Sequence, residues 1–387
     1  MKPRRLVVMG IVASDPYAGM AWMHMQIAAG LRRLGHDVYY FETTSRWPYD
    51  PVREMRVGDS EYALPYLQRV AESFGLGGRW AYRRSYSDNA WFGLSRAAAE
   101  DWLAHADAVI NVSGATCIGK ECPNIGRLVY LGTDPVAHEI GLVNGNPDAR
   151  AIIEAHHDFA TYGENIGTAA SPIPPLPGLR ARTRQPVLLD LWEAGPPQKQ
   201  EFTTVCNWKQ SGAVEFEGET YYWSKDREFL KFLDLPKRIG AVIELALGGD
   251  SNTPELRQLL QSNCWRVIDA NPLTTDPWTY RDYVRASRGE FTVAKDQNVR
   301  LKSGWFSERS ACYLAAGRPV ITQDTGFGTV LPTGAGLFAF NTMDEALAAF
   351  DAVQSDYARH SRAALEIAAE YFRAETVLKR LLGDLGL

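Results

Sequence analysis

Residues 6–12 form a short apolar run. A glycine-bearing loop follows, then an amphipathic segment over residues 19–34, a stop at Gly35 and a second apolar run over residues 38–41. Strand, helix and strand in this order predict a parallel pair, because parallel neighbours need a crossover of a dozen or more residues. Gly35 suits the left-handed position that ends a helix. Residues 108–112, 128–131 and 159–162 read as further buried strands. Each has Gly, Asp or Asn at its carboxyl end, where open α/β sheets bind ligands.

The pattern breaks between residues 169 and 186, where Pro172, Pro174, Pro175 and Pro177 crowd into one stretch and predict a stiff linker. Strand and helix then alternate again, with strands expected at 202–206, 241–247, 267–269, 291–293, 320–322 and 337–340. Thr253 before Pro254 is a helix start, and Thr342 with Glu345 makes a capping box. Beyond Asp356 the pattern is helical throughout. The expected division is 1–170 and 187–355 as two α/β domains, 171–186 as linker and 356–387 as a helical tail crossing back to the first domain.

Composition removes several alternatives. The 46 acidic and 41 basic residues leave a net charge of −5 with no dense basic run, which argues against nucleic-acid binding. The five cysteines (Cys117, Cys122, Cys206, Cys264, Cys312) are odd in number and lack zinc spacing, so a reduced, cytoplasmic setting is expected. Arg4 and Arg5 before an apolar run imitate a secretory signal, but Ser14-Asp15-Pro16 interrupts the run and no small-residue cleavage site follows. No uninterrupted apolar stretch reaches the roughly 18 residues of a membrane span. His156 and His157 are adjacent and point to opposite sides, so they do not chelate one metal. No metal site or cofactor is expected.

The most informative segment is Ser303-Gly-Trp-Phe-Ser-Glu-Arg-Ser-Ala-Cys-Tyr-Leu-Ala-Ala-Gly-Arg-Pro-Val-Ile-Thr-Gln-Asp-Thr-Gly326. Ser303 is expected to cap a helix, Gly304 to admit a ligand to the backbone there, and Gly317 with Pro319 to stop the helix. A free helix start binds anions. Glu308 lies one turn inside, where a carboxylate can accept from ribose hydroxyls. Gln323, Asp324, Thr325 and Gly326 end the next strand.

Here the chain resembles the GT-B glycosyltransferases, which use sugar nucleotides. Glu308-Arg-Ser-Ala-Cys-Tyr-Leu-Ala-Ala-Gly-Arg-Pro-Val320 is similar to their Glu-x(6–8)-Gly-x-Pro-Val donor segment, followed by Gly326 and Gly334-Ala335-Gly336. Gly19-Met-Ala-Trp-Met-His24 and Gly35-His36-Asp37-Val38 resemble their N-terminal glycine-rich loop and second strand. The resemblance implies two Rossmann-like doubly wound domains facing a cleft, with a C-terminal helical tail. It also implies a nucleotide-diphosphate sugar as co-substrate and a small-molecule acceptor. Retaining members carry an acidic residue eight positions before Glu308, where this chain has Arg300; an inverting displacement is favoured.

The expected donor contacts are the Ser303, Gly304 and Trp305 backbone with Lys209 and Lys302 at the diphosphate, Glu308 at ribose, and Gln323, Asp324, Thr325 and Gly326 at the sugar. His24 is the expected base, with Asp134 as its rival or orienter. Trp47, Trp91 and Glu164 are the expected acceptor contacts, fitting an aromatic or natural-product acceptor. A nucleotide-sugar epimerase or hydrolase and a non-catalytic nucleotide-sugar binder are the alternatives. Neither half has the Gly-x-Gly-x-x-Gly of a dehydrogenase. A monomer or homodimer is expected.

Overall fold

The computed structural model describes residues 2–114, 116 and 125–387; Cys117 and Cys122 lie outside them. The first half contains β1 (Arg5–Met9), β2 (Asp37–Glu42), the short pair β3 (Tyr49–Asp50) and β4 (Met55–Arg56), β5 (Trp80–Arg83), β6 (Trp91–Gly93), β7 (Ala108–Val112), β8 (Leu128–Gly132), β9 (Asp158–Thr161) and β10 (Leu179–Arg182). Eight of these form one sheet in the order β10-β9-β8-β7-β1-β2-β5-β6, parallel except at β6. β1 lies between β2 and β7, so its carboxyl end is the switch point of a doubly wound sheet.

The second half contains β11 (Phe202–Asn207), the hairpin β12 (Ala213–Phe216) and β13 (Glu219–Tyr222), then β14 (Ile243–Gly248), β15 (Arg266–Asp269), β16 (Gly289–Thr292), β17 (Val320–Gln323) and β18 (Leu337–Phe340). Its six-stranded parallel sheet runs β15-β14-β11-β16-β17-β18, with the switch point at the end of β11. Thr253 and Thr342 cap their helices as their sequences predict. The proline-rich stretch is not linker throughout, because Leu179–Arg182 pairs with β9 as an edge strand. No helix among the described residues is long and apolar enough to cross a membrane.

The first helix, Ala18–Arg33, departs from its amphipathic reading. Its buried residues include Ala21, Trp22, His24, Met25, Gln26, Ile27, Ala28 and Leu31, which lie all round the helix. The second half and the tail cover its outer side. Trp22 meets Phe74, Trp192 and Trp278 at ring distances of 4.9, 4.5 and 5.3 Å, and its indole N–H donates to Pro277 O at 2.8 Å. A Cβ on Gly30 would lie 2.5 Å from Leu378 of the tail helix Ala374–Asp384. Truncating Trp22 to Ala would cost about 3–5 kcal/mol.

The β12–β13 hairpin leaves its own sheet and packs on the first half. Val214, Phe216 and Tyr221 cluster with Val136, Ile140, Ile166 and Ile173. The two halves therefore share apolar cores as well as facing each other.

Candidate active site

The carboxyl ends of β8 and β16 meet across the two halves. Lys295 Nζ lies 2.5 Å from Asp134 Oδ2, which also accepts from the Trp223 indole at 2.6 Å. The ammonium sits 3.8 Å from the Trp223 ring centroid. The Trp305 indole donates to Thr133 O at 2.9 Å and the Gln297 amide to Pro135 O at 3.2 Å. Asp134 Oδ1 is buried without a hydrogen-bond partner among the described residues. Burial lowers the Lys295 pKa, opposed by Asp134.

Beside this pair lies a second group of cations. Arg309 donates to Glu290 Oε1 at 2.5 Å, Val205 O at 2.7 Å and Thr292 Oγ1 at 3.0 Å. Lys225 follows β13 and is 7% exposed, yet its ammonium makes no hydrogen bond or ion pair with any described residue. Burial, then the neighbouring Arg309 charge, lowers its pKa to about 7. Three buried cations thus share two carboxylates, Glu290 and Asp134, and Lys225 is the one left uncompensated. The helix Glu308–Ala315 starts here, and its N-cap Ser307 supplies no side-chain hydrogen bond. An unpaired lysine with two further cations, beside an uncapped helix start, supplies the elements of an anion site.

The donor segment folds differently from its expected form. The helix begins at Glu308, not after Ser303, because Lys302 and Gly304 adopt left-handed φ of 46° and 76° and turn the chain first. Ser303 is fully buried and donates to Asn298 Oδ1 at 2.8 Å. Gly304 admits the protein's own backbone, since a Cβ there would lie 2.6 Å from Asn165 N. Asn165 Nδ2 donates to Lys302 O at 3.1 Å and Gly326 O at 3.0 Å, and Asn165 Oδ1 accepts from Thr329 at 2.8 Å. Lys302 pairs with Asp324 at 3.0 Å, and Gly326 N donates to Asp324 Oδ1 at 2.7 Å. Thr325 Oγ1 donates to Trp305 O at 2.5 Å, while the Gln323 amide donates to Glu228. Glu308 accepts from Gln26 of the first helix at 2.9 Å and Cys312 at 3.2 Å; burial raises its pKa to about 7. Lys209 is exposed at the end of β11, with its backbone N–H on Ser251 at 3.1 Å.

His24 does not face an open cleft. It is fully buried, its Nδ1 lies 2.7 Å from Met20 O, its Nε2 has no partner among the described residues, and burial lowers its pKa to about 4. A Cβ on Gly10 would come within 2.1 Å of its ring, so the imidazole packs under the β1 loop. His24 and Asp134 are bonded to other groups and do not form a pair.

The expected acceptor contacts do not converge. Trp47 is 54% exposed, whereas Glu164 pairs with Arg184 at 2.6 Å and both are largely buried. Trp91 lies on β6, six strands from the β9 that precedes Glu164, which at strand spacing is roughly 30 Å. One small molecule cannot touch both.

Sequence reasoning passed over Lys225, Lys295, Arg309 and Glu42. Lys295 follows β16 and Glu42 ends β2, so the strand-end rule applied to every strand would have found both. Glu42 is 1% exposed and accepts from Ala13 N at 2.8 Å, Ser14 N at 2.7 Å, Ser14 Oγ at 2.6 Å and Tyr40 OH at 3.0 Å. It fixes the loop at the switch point of β1, although burial raises its pKa to about 7.

Two doubly wound domains with facing strand ends and a returning tail define the GT-B architecture. The chain is similar in structure to an α-glucosyltransferase in complex with UDP and a 13-mer DNA (TM-score 0.59, 9% identity, 100% of both chains). It is similar to AviGT4, a glycosyltransferase involved in avilamycin A biosynthesis (TM-score 0.56, 12% identity, 98% of this chain and 96% of that one). It is also similar to Anabaena HepE in complex with UDP (TM-score 0.55, 11% identity, 98% and 99%). No protein-family profile matches the sequence, and a search of curated proteins finds no relative. At these identities the likeness establishes the fold.

Proposed function

We propose that the chain is a glycosyltransferase that moves a sugar, of hexosyl type, from a nucleoside-diphosphate sugar to a small-molecule acceptor. The carrying observation is the uncompensated Lys225 ammonium beside Arg309 and Lys295, at strand ends of a GT-B fold. Buried cations aimed at a leaving diphosphate stabilise the charge that develops on it, and do so without reorganising at the moment of reaction. UDP is bound in two of the similar structures, which makes it the first donor fragment to try.

Asp134 replaces His24 as the proposed base. Its free Oδ1 supports this role, because an acceptor hydroxyl donating there would fill the missing hydrogen bond. The acceptor oxygen bonds to the anomeric carbon, that carbon's bond to the diphosphate breaks with the electron pair leaving on the diphosphate, and the acceptor proton passes to Asp134. A positioned base is worth about 10²–10⁴-fold. Arg300 pairs with Glu219 and lies 3.5 Å from Asp296, and a cation at that position supports direct, inverting displacement. Trp47, with Val52 and Met55 also exposed a few residues further along the chain, supports an aromatic or natural-product acceptor. Free Cys206, Cys264 and Cys312 fit a cytoplasmic setting.

A thermal-shift screen of nucleoside diphosphates and their sugars tests the donor half of this reading, since a ligand of the native state raises the midpoint. The expected result is a shift with at least one of them. No shift with any overturns the assignment. Epimer or free sugar formed from the donor without an acceptor would favour an isomerase or hydrolase instead.

A further inference from the structure

We infer that binding of the donor's diphosphate is coupled to uptake of a proton by Lys225. This rests on the anion-site reading above and adds how the site is regulated.

The groups around Lys225 come from several elements. Cys206 belongs to β11, Glu290 belongs to β16, Lys295 follows β16, and Arg309 lies in the first turn of the helix Glu308–Ala315. Glu290 is fully buried and engaged by Arg309 through Oε1, while its Oε2 has no hydrogen-bond partner among the described residues and its charge acts on Lys225 against that of Arg309. Burial raises the Cys206 thiol pKa, which leaves it neutral and unable to offset an ammonium. Lys295 has its own carboxylate in Asp134. On the lysine's own helix, Asp226 accepts from Ser224 at 2.7 Å and Glu228 from Lys231 at 2.7 Å. At Lys225, burial and the neighbouring Arg309 charge therefore outweigh the opposing Glu290 carboxylate.

Desolvation and like charge act in the same direction on a lysine, favouring the neutral amine. The lowered value of about 7 agrees with that geometry. A diphosphate brought within contact of Lys225 reverses the second effect, since an opposite charge at about 4–6 Å favours the ammonium. The sign follows. Below about pH 7 the free and bound proteins both carry the proton, and binding takes up none. Above it the free amine is neutral and the bound one charged. Each complex then takes up close to one proton, and affinity falls by about tenfold per pH unit. A lysine with an ordinary pKa would be charged throughout and show neither effect.

The test is titration calorimetry of UDP, and of GDP and dTDP if UDP does not bind. Each titration is run near pH 6 and pH 8.5 in pairs of buffers with different ionisation enthalpies. At the higher pH the nucleotide is fully ionised, so any proton taken up goes to the protein. The expected result is close to one proton per complex near pH 8.5 and close to none near pH 6. Lys225→Arg, charged at both pH values, should bind without uptake, which separates Lys225 from Lys295. Nucleotide binding with no uptake near pH 8.5, or uptake that survives in Lys225→Arg, overturns the inference while leaving the donor site standing. If Lys225→Arg fails to bind, the wild-type pH series decides. If no nucleoside diphosphate binds at either pH, the donor-site reading and the inference fall together.

Discussion

Lys295 from the second half and Asp134 from the first form an ion pair at 2.5 Å, with the Trp223 indole bonded to the same carboxylate oxygen and its ring beneath the ammonium. The pair joins the carboxyl ends of β8 and β16, and it leaves one Asp134 oxygen for another donor. Proposed chemistry and domain contact thus meet on the same side chain.

Replacing Asp134 with Asn should lower kcat for transfer by about 10²–10⁴-fold. Nucleotide affinity should be affected far less, so kcat and donor Kd separate. The same change leaves Lys295 without a counter-charge and should cost about 1–3 kcal/mol in urea unfolding. Wild-type turnover in Asp134→Asn would exclude it as the base.

Lys225 illustrates a site that works against stability. An ammonium buried without a partner penalises the folded state while it is charged, so Lys225→Met should stabilise the free protein by on the order of 1–4 kcal/mol near neutral pH and abolish diphosphate binding. The folded pKa of about 7 lies below the ordinary 10.5. Between those values the unfolded chain binds the extra proton, so wild-type stability should rise with pH across that window. The rise should be smaller in Lys225→Met, as measured by denaturant unfolding in steps of pH.

Glu42 gives the opposite slope. Its folded pKa of about 7 exceeds the ordinary 4.5, so between those values the folded state holds the extra proton. Its contribution is fully present below about pH 4.5 and is lost as pH rises through 7, amounting to at most about 3 kcal/mol. Glu42→Gln should flatten that segment of the stability profile. It should also raise acceptor KM, because an amide cannot accept from all four donors that hold residues 13 and 14. An unchanged slope would assign the titration to another group.

Gly304 and Gly326 both approach Asn165, but different atoms of it. A Cβ on Gly304 meets the Asn165 backbone N at 2.6 Å, whereas a Cβ on Gly326 meets the side-chain Nδ2 at 2.6 Å. Each alanine variant should lose about 1–3 kcal/mol from strain at positive φ. Adding Asn165→Ala should recover more of the loss in Gly326→Ala than in Gly304→Ala, because a Cβ on Gly304 also meets the Asn165 backbone N, which the change leaves in place. Equal rescue in a double-mutant cycle would refute the assigned contacts.

Trp47 is 54% exposed, so Trp47→Ala should leave the melting temperature within the range of ordinary surface substitutions. A raised acceptor KM without a change in donor affinity would support its acceptor role. No change in either would end that role.

Much of the fold could be read locally. The alternation of apolar runs with helical segments marked β1, β2, β7, β8 and β9, and later β11 and β14 to β18, because strand and helix periods and capping residues act over a few neighbours. The edge strands β6 and β10 and the β12–β13 hairpin escaped, since short half-exposed strands carry little periodic signal and gain their order from the surface they join.

By itself the sequence determined two doubly wound halves, most of their strand ends, and the caps at Thr253 and Thr342. Tertiary structure alone decided which side chains meet there. His24 is buried because its ring packs against Gly10 after β1 and Tyr40 of β2, inside the first half. Asn165 occupies the turn that Gly304 makes available. Lys225, Lys295, Arg309 and Asp134 come together from distant parts of the chain, and their charges depend on who their neighbours are. Local periodicity encodes an element and the side it buries; the desolvation and pairing of a charge are set by everything packed around it, and that exists only once the halves have met.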